Sequence, residues 1–414
     1  MWSPQPARLF AHPSEVRIPD GSRSSQSVKC SPWRVLPVTV VFIVAAAGVV
    51  VLLDEPPERR VVPLPEPTAT LGTCIRTGAL DSVEALNRFV AKVRGDDGFA
   101  GGDVGASVEL QDARRLFVFG DTLRSANFKG QRFVHNSMLV FSAGCGRVVL
   151  PRARGALVPD RSDGVGYWPM SIARIERPGY DIVGVGLQRV RMTGGTDVFD
   201  FEVLGPAVAR FEVPRGGVPE LQSVRDIGAD RVDTSTPMWG AAAVVDHGWV
   251  YLYGTSRPAN AGLSGFALRV ARTKPDTVGE PRTWTYWNGQ AWSRNSSSAV
   301  ELIGHQGGVS QTLSVFRVGG TWYALSKKNE VLGRHLTIWS APGPTGPFVE
   351  APPSADIPSD AVSGTLRYMP LAHPDLLPEP GTVVVSYSVN NTDFRVVQND
   401  PRRYRPRFLR VALP

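Results

Sequence analysis

Between residue 101 and the C-terminus one frame of residues recurs five times. A small or aromatic opening leads into an apolar strand, a turn follows, and a second strand ends in a small polar group. The openings are Asp103-Val104-Gly105-Ala106-Ser107, Tyr167-Trp168-Pro169-Met170-Ser171, Met238-Trp239-Gly240-Ala241-Ala242, Gly308-Val309-Ser310-Gln311-Thr312 and Tyr368-Met369-Pro370-Leu371-Ala372. Their second strands are FVFGDT, IVGVG, VYLYGTSR, WYALSKKN and VVVSYSVNN, and further strands such as SMLVFS, FALRVAR and LTIWS fit behind them. Repetition at this spacing implies stacked supersecondary units. Four strands in each of five units give an all-β, five-bladed β-propeller, which leaves only short protected edges. A β-sandwich is the alternative and accounts less well for the five-fold frame. Gly 42 and Pro 35 suit the many turns that either fold needs.

In a propeller the first strand of each blade lines the central funnel, so the residues that open those strands converge. Asp103, Trp168, Trp239, Gln311 and Tyr368 are expected at one pocket, joined by Asp121, Arg257, Lys327 and Asn390 from the second-strand ends. Aromatic faces that stack on sugar C–H surfaces, with amides and carboxylates that bond hydroxyls, make a carbohydrate cleft. Packing between blades is the competing role for Trp168 and Trp239. His135 and Asn136 follow Asp121 and join the candidate substrate contacts, with a structural role equally open to His135.

The first unit carries the chemistry. Residues 104–110 and 116–119 read as strands around the polar turn Gln111-Asp112-Ala113. Asp103 stands just before the first strand and Asp121 just after the second. In an antiparallel hairpin those two ends lie side by side. Two facing carboxylates are what glycoside hydrolysis uses, one as acid and one as base or nucleophile. Glycines 101, 102, 105 and 120 leave room for a ligand near the backbone.

Ahead of the repeats the chain changes character three times. Residues 1–34 are polar, rich in Pro and Ser, and without apolar periodicity, as in a disordered tail. Residues 35–53 carry no charge and are just long enough to cross a bilayer core of about 30 Å. Arg8, Arg17, Arg23, Lys29 and Arg34 precede them, against Glu15 and Asp20, which places the N-terminus in the cytoplasm. A cleaved signal peptide would have a shorter leader and small residues after the apolar run; an uncleaved anchor fits better. Residues 54–72 are a Pro-rich, extended linker, and 73–414 form the extracytoplasmic domain. Helical spacing of Val83, Leu86, Phe89, Val90 and Val93 predicts one helix over 80–93, capped by Asp81 or Ser82.

The net charge of +7 is almost wholly arginine, without the basic run and interleaved aromatics of a nucleic-acid surface. Nucleic acid is therefore not an expected partner. Cys74 and Cys145 fall in the oxidising compartment, where a disulfide between them is plausible; Cys30 stays on the cytoplasmic side. Two cysteines and unpatterned histidines give no metal site. No cofactor is expected, though a propeller channel leaves room for a structural calcium ion.

The segments GGDVGASVELQDARRLFVFGDT, FVHNS, YWPM, MWGAAAVVDHGWVYLYGT and VSYSVNN resemble the DUF4185 family of actinobacterial cell-envelope proteins, from residue 98 onward. That family includes endo-D-arabinanases. The resemblance implies a five-bladed propeller with its active site in the funnel and places the family's acidic pair at Asp103 and Asp121. It implies a plasma-membrane-anchored glycoside hydrolase that cuts envelope polysaccharide, with D-arabinan as substrate. A non-catalytic glycan-binding propeller and a protein-interaction propeller remain the alternatives.

Overall fold

The computed structural model describes residues 68–92, 98–195, 199–262, 264–330 and 333–414. The expected tail (1–34), membrane helix (35–53) and most of the linker (54–67) lie outside the described residues. Among the described residues no helix is long and apolar enough to cross a membrane.

Among the described residues the chain lays down five antiparallel sheets in sequence order, of seven, four, five, five and three strands. The uniform four strands per unit hold only for the second sheet. The innermost strands of the five sheets are, in order, Gly101–Glu109, Gly166–Arg177, Met238–Asp246, Ser314–Val318 and Thr365–His373. Each of these packs on the next, and the fifth packs on the first, so the ring is closed and the fold is a β-propeller. The starts of the first, second, third and fifth inner strands, with the loop ahead of the fourth, line one cavity of about 530 Å³. The far halves of all five line a second, of about 810 Å³.

Apolar side chains fill the wedges between sheets. Val118 and Met138 of the first blade, Leu187 and Phe211 of the second and Leu371 of the fifth share one cluster. A second joins Met170 to Tyr253 and Leu268 of the third blade and Val315 and Trp322 of the fourth. Burying each such side chain contributes about 1.5–3 kcal/mol. The ring is thus held chiefly by area removed from water.

The inner strands are not regular. Register shifts interrupt them at Gly102/Val104/Ala106, Pro169/Ser171, Trp239/Ala242 and Tyr368/Leu371. Val104 and Met369 take left-handed backbone angles there, with φ of 67° and 47°. A β-branched or long side chain rarely adopts that conformation, and bulges of this kind re-aim the residues beside them. The bulges all sit at the end of the inner strands that faces the smaller cavity.

The first and last described segments close the first and last blades. Ala69–Leu71, within the expected linker, pairs with Cys145–Pro151 at the outer edge of the first sheet. Cys74 is disulfide-bonded to Cys145 beside that pairing. The helix runs over Val83–Lys92, and the Ser82 hydroxyl caps it by accepting from the Ala85 N–H at 3.1 Å. It lies against Arg407–Ala412, the edge strand of the three-stranded last blade. The Asn87 side chain donates to the Phe408 carbonyl at 2.8 Å and accepts from the Phe408 N–H at 2.9 Å. One amide therefore does at this edge what a neighbouring strand would do.

Candidate active site

Asp103 and Asp121 lie inside the paired strands Gly101–Glu109 and Arg115–Leu123, not beyond their ends as the sequence suggests. Gly102 pairs with Thr122, and Val104 with Phe119, so the bulge puts Asp103 against the backbone of Gly120. A Cβ on Gly120 would come within 2.5 Å of Asp103 Oδ1; only glycine leaves that space. Both carboxylates line the smaller cavity.

Each acid has its own donors. The Tyr368 hydroxyl donates to Asp103 Oδ2 at 2.7 Å, and the Tyr404 hydroxyl also hydrogen-bonds this carboxylate. The Trp168 indole N–H donates to Asp121 Oδ1 at 2.7 Å. Burial pushes the carboxyl groups of both residues well above the usual range, and the donors only partly offset it. Repulsion from Asp103 raises Asp121 further, against the nearby His135 and the indole. Two desolvated carboxyls whose charges oppose each other lose their protons in two steps, the later of them near neutral pH. Burial and the Asp103 charge hold both phenols well above the ordinary tyrosine range, so they stay neutral donors.

The other sequence candidates divide. Trp168, Gln311, Tyr368 and Asn390 line the cavity as expected. Trp168 meets Phe201 edge-on at 4.6 Å between ring centres, and Asn390 Nδ2 reaches the Tyr368 hydroxyl at 3.5 Å. His135 stands behind this wall rather than on it, its Nδ1 3.1 Å from Asp160. Burial opposes its charge, but the Asp160 hydrogen bond and the charges of Asp121 and Asp160 outweigh that and raise its pKa.

Three candidates lie elsewhere. Asn136 is buried, donates to the Val158 and Tyr167 carbonyls and accepts from the Val158 N–H, so its amide is used up in pinning a loop. Trp239 turns into the third blade's core against Trp284 and Tyr286, over Gly254, whose missing side chain makes the room. Lys327 is fully buried and donates to the Arg367 carbonyl at 2.5 Å; burial pushes its pKa down to about 8.

The sequence offers no hint of Glu330. It follows Asn329 at the end of the fourth blade's second strand, and both take left-handed angles, φ 61° and 62°. That conformation brings its carboxylate into the cavity wall, where it accepts from the Gln311 N–H at 3.0 Å. Burial raises its pKa against the Ser310 and Gln311 hydrogen bonds and the charges of Arg257 and Lys327. Among the described residues no group of His, Cys, Asp and Glu has the geometry of a metal site.

A family model for a domain of unknown function, DUF5005, matches residues 84–413. This replaces the DUF4185 resemblance: short segments such as GGD and FGDT report a bulged strand pair with two acids, which is local geometry rather than descent. No curated protein matches the chain. Among solved structures, a putative hydrolase from Bacteroides ovatus ATCC 8483 is 17% identical, covers 83% of this chain and 93% of its own, and superposes with a TM-score of 0.55. That likeness is one of fold. The catalytic domain of a GH62 alpha-L-arabinofuranosidase from Coprinopsis cinerea is 10% identical over 84% of this chain and 96% of its own, at a TM-score of 0.45. A GH43 beta-xylosidase/alpha-arabinofuranosidase from a compost microbial metagenome is 12% identical over 76% and 91%, at 0.41. Overlaps that loose carry no inference about this chain.

Proposed function

We propose that this chain, which belongs to the DUF5005 family, is a glycoside hydrolase whose acid pair is Asp103 and Asp121. The observation that carries the proposal is the pair itself: two carboxyls on adjacent strands, both with raised pKa, in a cavity walled by Trp168 and Tyr368. General acid–base catalysis at neutral pH needs one carboxyl kept protonated and one ionised, and burial with mutual repulsion arranges that split. Asp103, with two phenol donors favouring its anion, serves as base or nucleophile. Asp121, which takes the repulsion, holds the proton and delivers it to the departing glycosidic oxygen. The proton leaves on the freed sugar hydroxyl; water adds its hydroxyl to the anomeric carbon and gives its other proton to the aspartate pair, which restores the acid for the next turnover. The Bacteroides ovatus neighbour's description as a hydrolase agrees with this class.

The cellular setting we propose is the outer face of the plasma membrane. The uncharged run 35–53, with basic residues before it, supports an uncleaved anchor. The Cys74–Cys145 bridge supports an oxidising compartment for the propeller. Cell-envelope polysaccharide is then the substrate within reach. D-arabinan loses the family support it had and stands as one candidate among several. The test is to incubate the full-length chain, purified in detergent, with isolated envelope polysaccharides, D-arabinan included, and to measure new reducing ends. Release from at least one supports the proposal. Binding without release from any of them would make the propeller a glycan-binding module instead.

A further inference from the structure

A second set of polar side chains faces the same cavity from blades two to four, away from the acid pair on blade one. Arg257 ends the strand pairing that carries Trp249–Ser256, and its guanidinium lies 4.5 Å from the centre of the Phe266 ring. Stacking of this kind holds the guanidinium plane and leaves its N–H edge to point sideways. Arg257 Nη1 is buried and has no hydrogen-bond partner among the described residues. Gln188, on the second blade, is 3% exposed, and its Oε1 is likewise without a partner among them. Glu330, held inward by its left-handed backbone, completes the wall.

An unpaired donor and an unpaired acceptor in the wall of one cavity each cost about 1–3 kcal/mol unless an ordered water or a ligand hydroxyl that enters the wall satisfies them. A hydroxyl group is both donor and acceptor and can serve either. An anionic ligand would meet Asp103, Asp121, Glu202, Asp233 and Glu330 around the cavity, against Arg257 as the one lining cation among the described residues. Even with a proton shared by the aspartate pair, that field repels carboxylate, sulfate or phosphate.

We infer that Gln188, Arg257 and Glu330 form a sugar subsite for an uncharged residue, with Arg257 donating to and Glu330 accepting from neighbouring hydroxyls, so that the substrate is a neutral glycan. This rests on the glycoside hydrolase reading of the cavity but concerns a different wall of it. Residues that bind through hydroxyls without touching the reacting bond set affinity, and their loss falls mainly in KM.

The test uses the full-length chain with the Asp121→Asn substitution, so that binding is read apart from cleavage. Its affinity is measured by calorimetry for neutral arabinan, xylan and galactan and for polygalacturonate and glucuronoxylan, while the unsubstituted chain is assayed for cleavage of each. Binding confined to neutral glycans is the expected result. Arg257→Met, which keeps the stem over Phe266, should then weaken it about tenfold, equal to about 1.4 kcal/mol, and Arg257→Lys should not restore it. Equal or tighter binding of an acidic glycan, or no binding of any neutral one, overturns the inference. Neutral-glycan binding lost on Arg257→Met with no cleavage by the unsubstituted chain would uphold the subsite and overturn the hydrolase instead.

Discussion

Asp121 is the residue on which burial, a neighbouring charge and a proton meet. Its carboxyl and that of Asp103 carry folded-state pKa values raised by burial, so the native state binds more protons than the unfolded chain above about pH 4. Stability from these groups is therefore full below that pH and declines as pH rises through the raised titrations. Asp121→Asn removes one buried charge and the repulsion, while its amide oxygen can still accept from the Trp168 indole. The melting temperature of this variant should exceed that of the parent at pH 8 and fall back toward it at pH 4.5; a variant less stable than the parent at pH 8 would count against a strained pair. The same titrations set the pH profile: kcat/KM should be bell-shaped, with its acidic limb above the ordinary carboxylate range. Asp103, Asp121, Trp168 and Tyr368 were all legible in the sequence, because residue type and position in the frame both pointed to them. Glu330 was not: a left-handed glutamate has no residue-type signature, and only the preceding Asn329, a residue that tolerates that conformation, hinted at a turn.

At the scale of elements, the bulged inner strand explains both what the sequence foretold and what it hid. The repeated frame located the first, second, third and fifth inner strands to within a few residues, since strand alternation and turn residues are local properties, but its fourth opening, 308–312, falls in the loop ahead of Ser314–Val318. It could not show the register shifts, which depend on partner strands far along the chain. Trp168 and Trp239 occupy like places in the frame, yet one meets Asp121 and the other packs over Gly254. The helix is the other informative element. Its spacing and Ser82 cap were readable; its docking on the last strand, through Asn87, was not. Asn87→Ala leaves the Phe408 N–H and carbonyl without those bonds at the sheet edge and should cost about 1–3 kcal/mol. Chemical denaturation would show a lower midpoint with little change in slope; an unchanged midpoint would mean that the edge is satisfied by other means.

The described propeller is a closed ring that brings side chains from residues 103 to 404 to one cavity. That convergence was foreseeable once repeats were recognised, because a propeller places strand starts at one end of its channel. Strand number per blade was not foreseeable, nor was the family: short segments fix local shape, whereas the DUF5005 match runs over residues 84–413. The central claim is that Asp103 and Asp121 break a glycosidic bond, and turnover measures it most directly. On whichever polysaccharide the chain cleaves, kcat of Asp103→Asn and of Asp121→Asn should each fall by about 10²–10⁴-fold with the fold intact by circular dichroism. Near-parental turnover in either folded variant would contradict it.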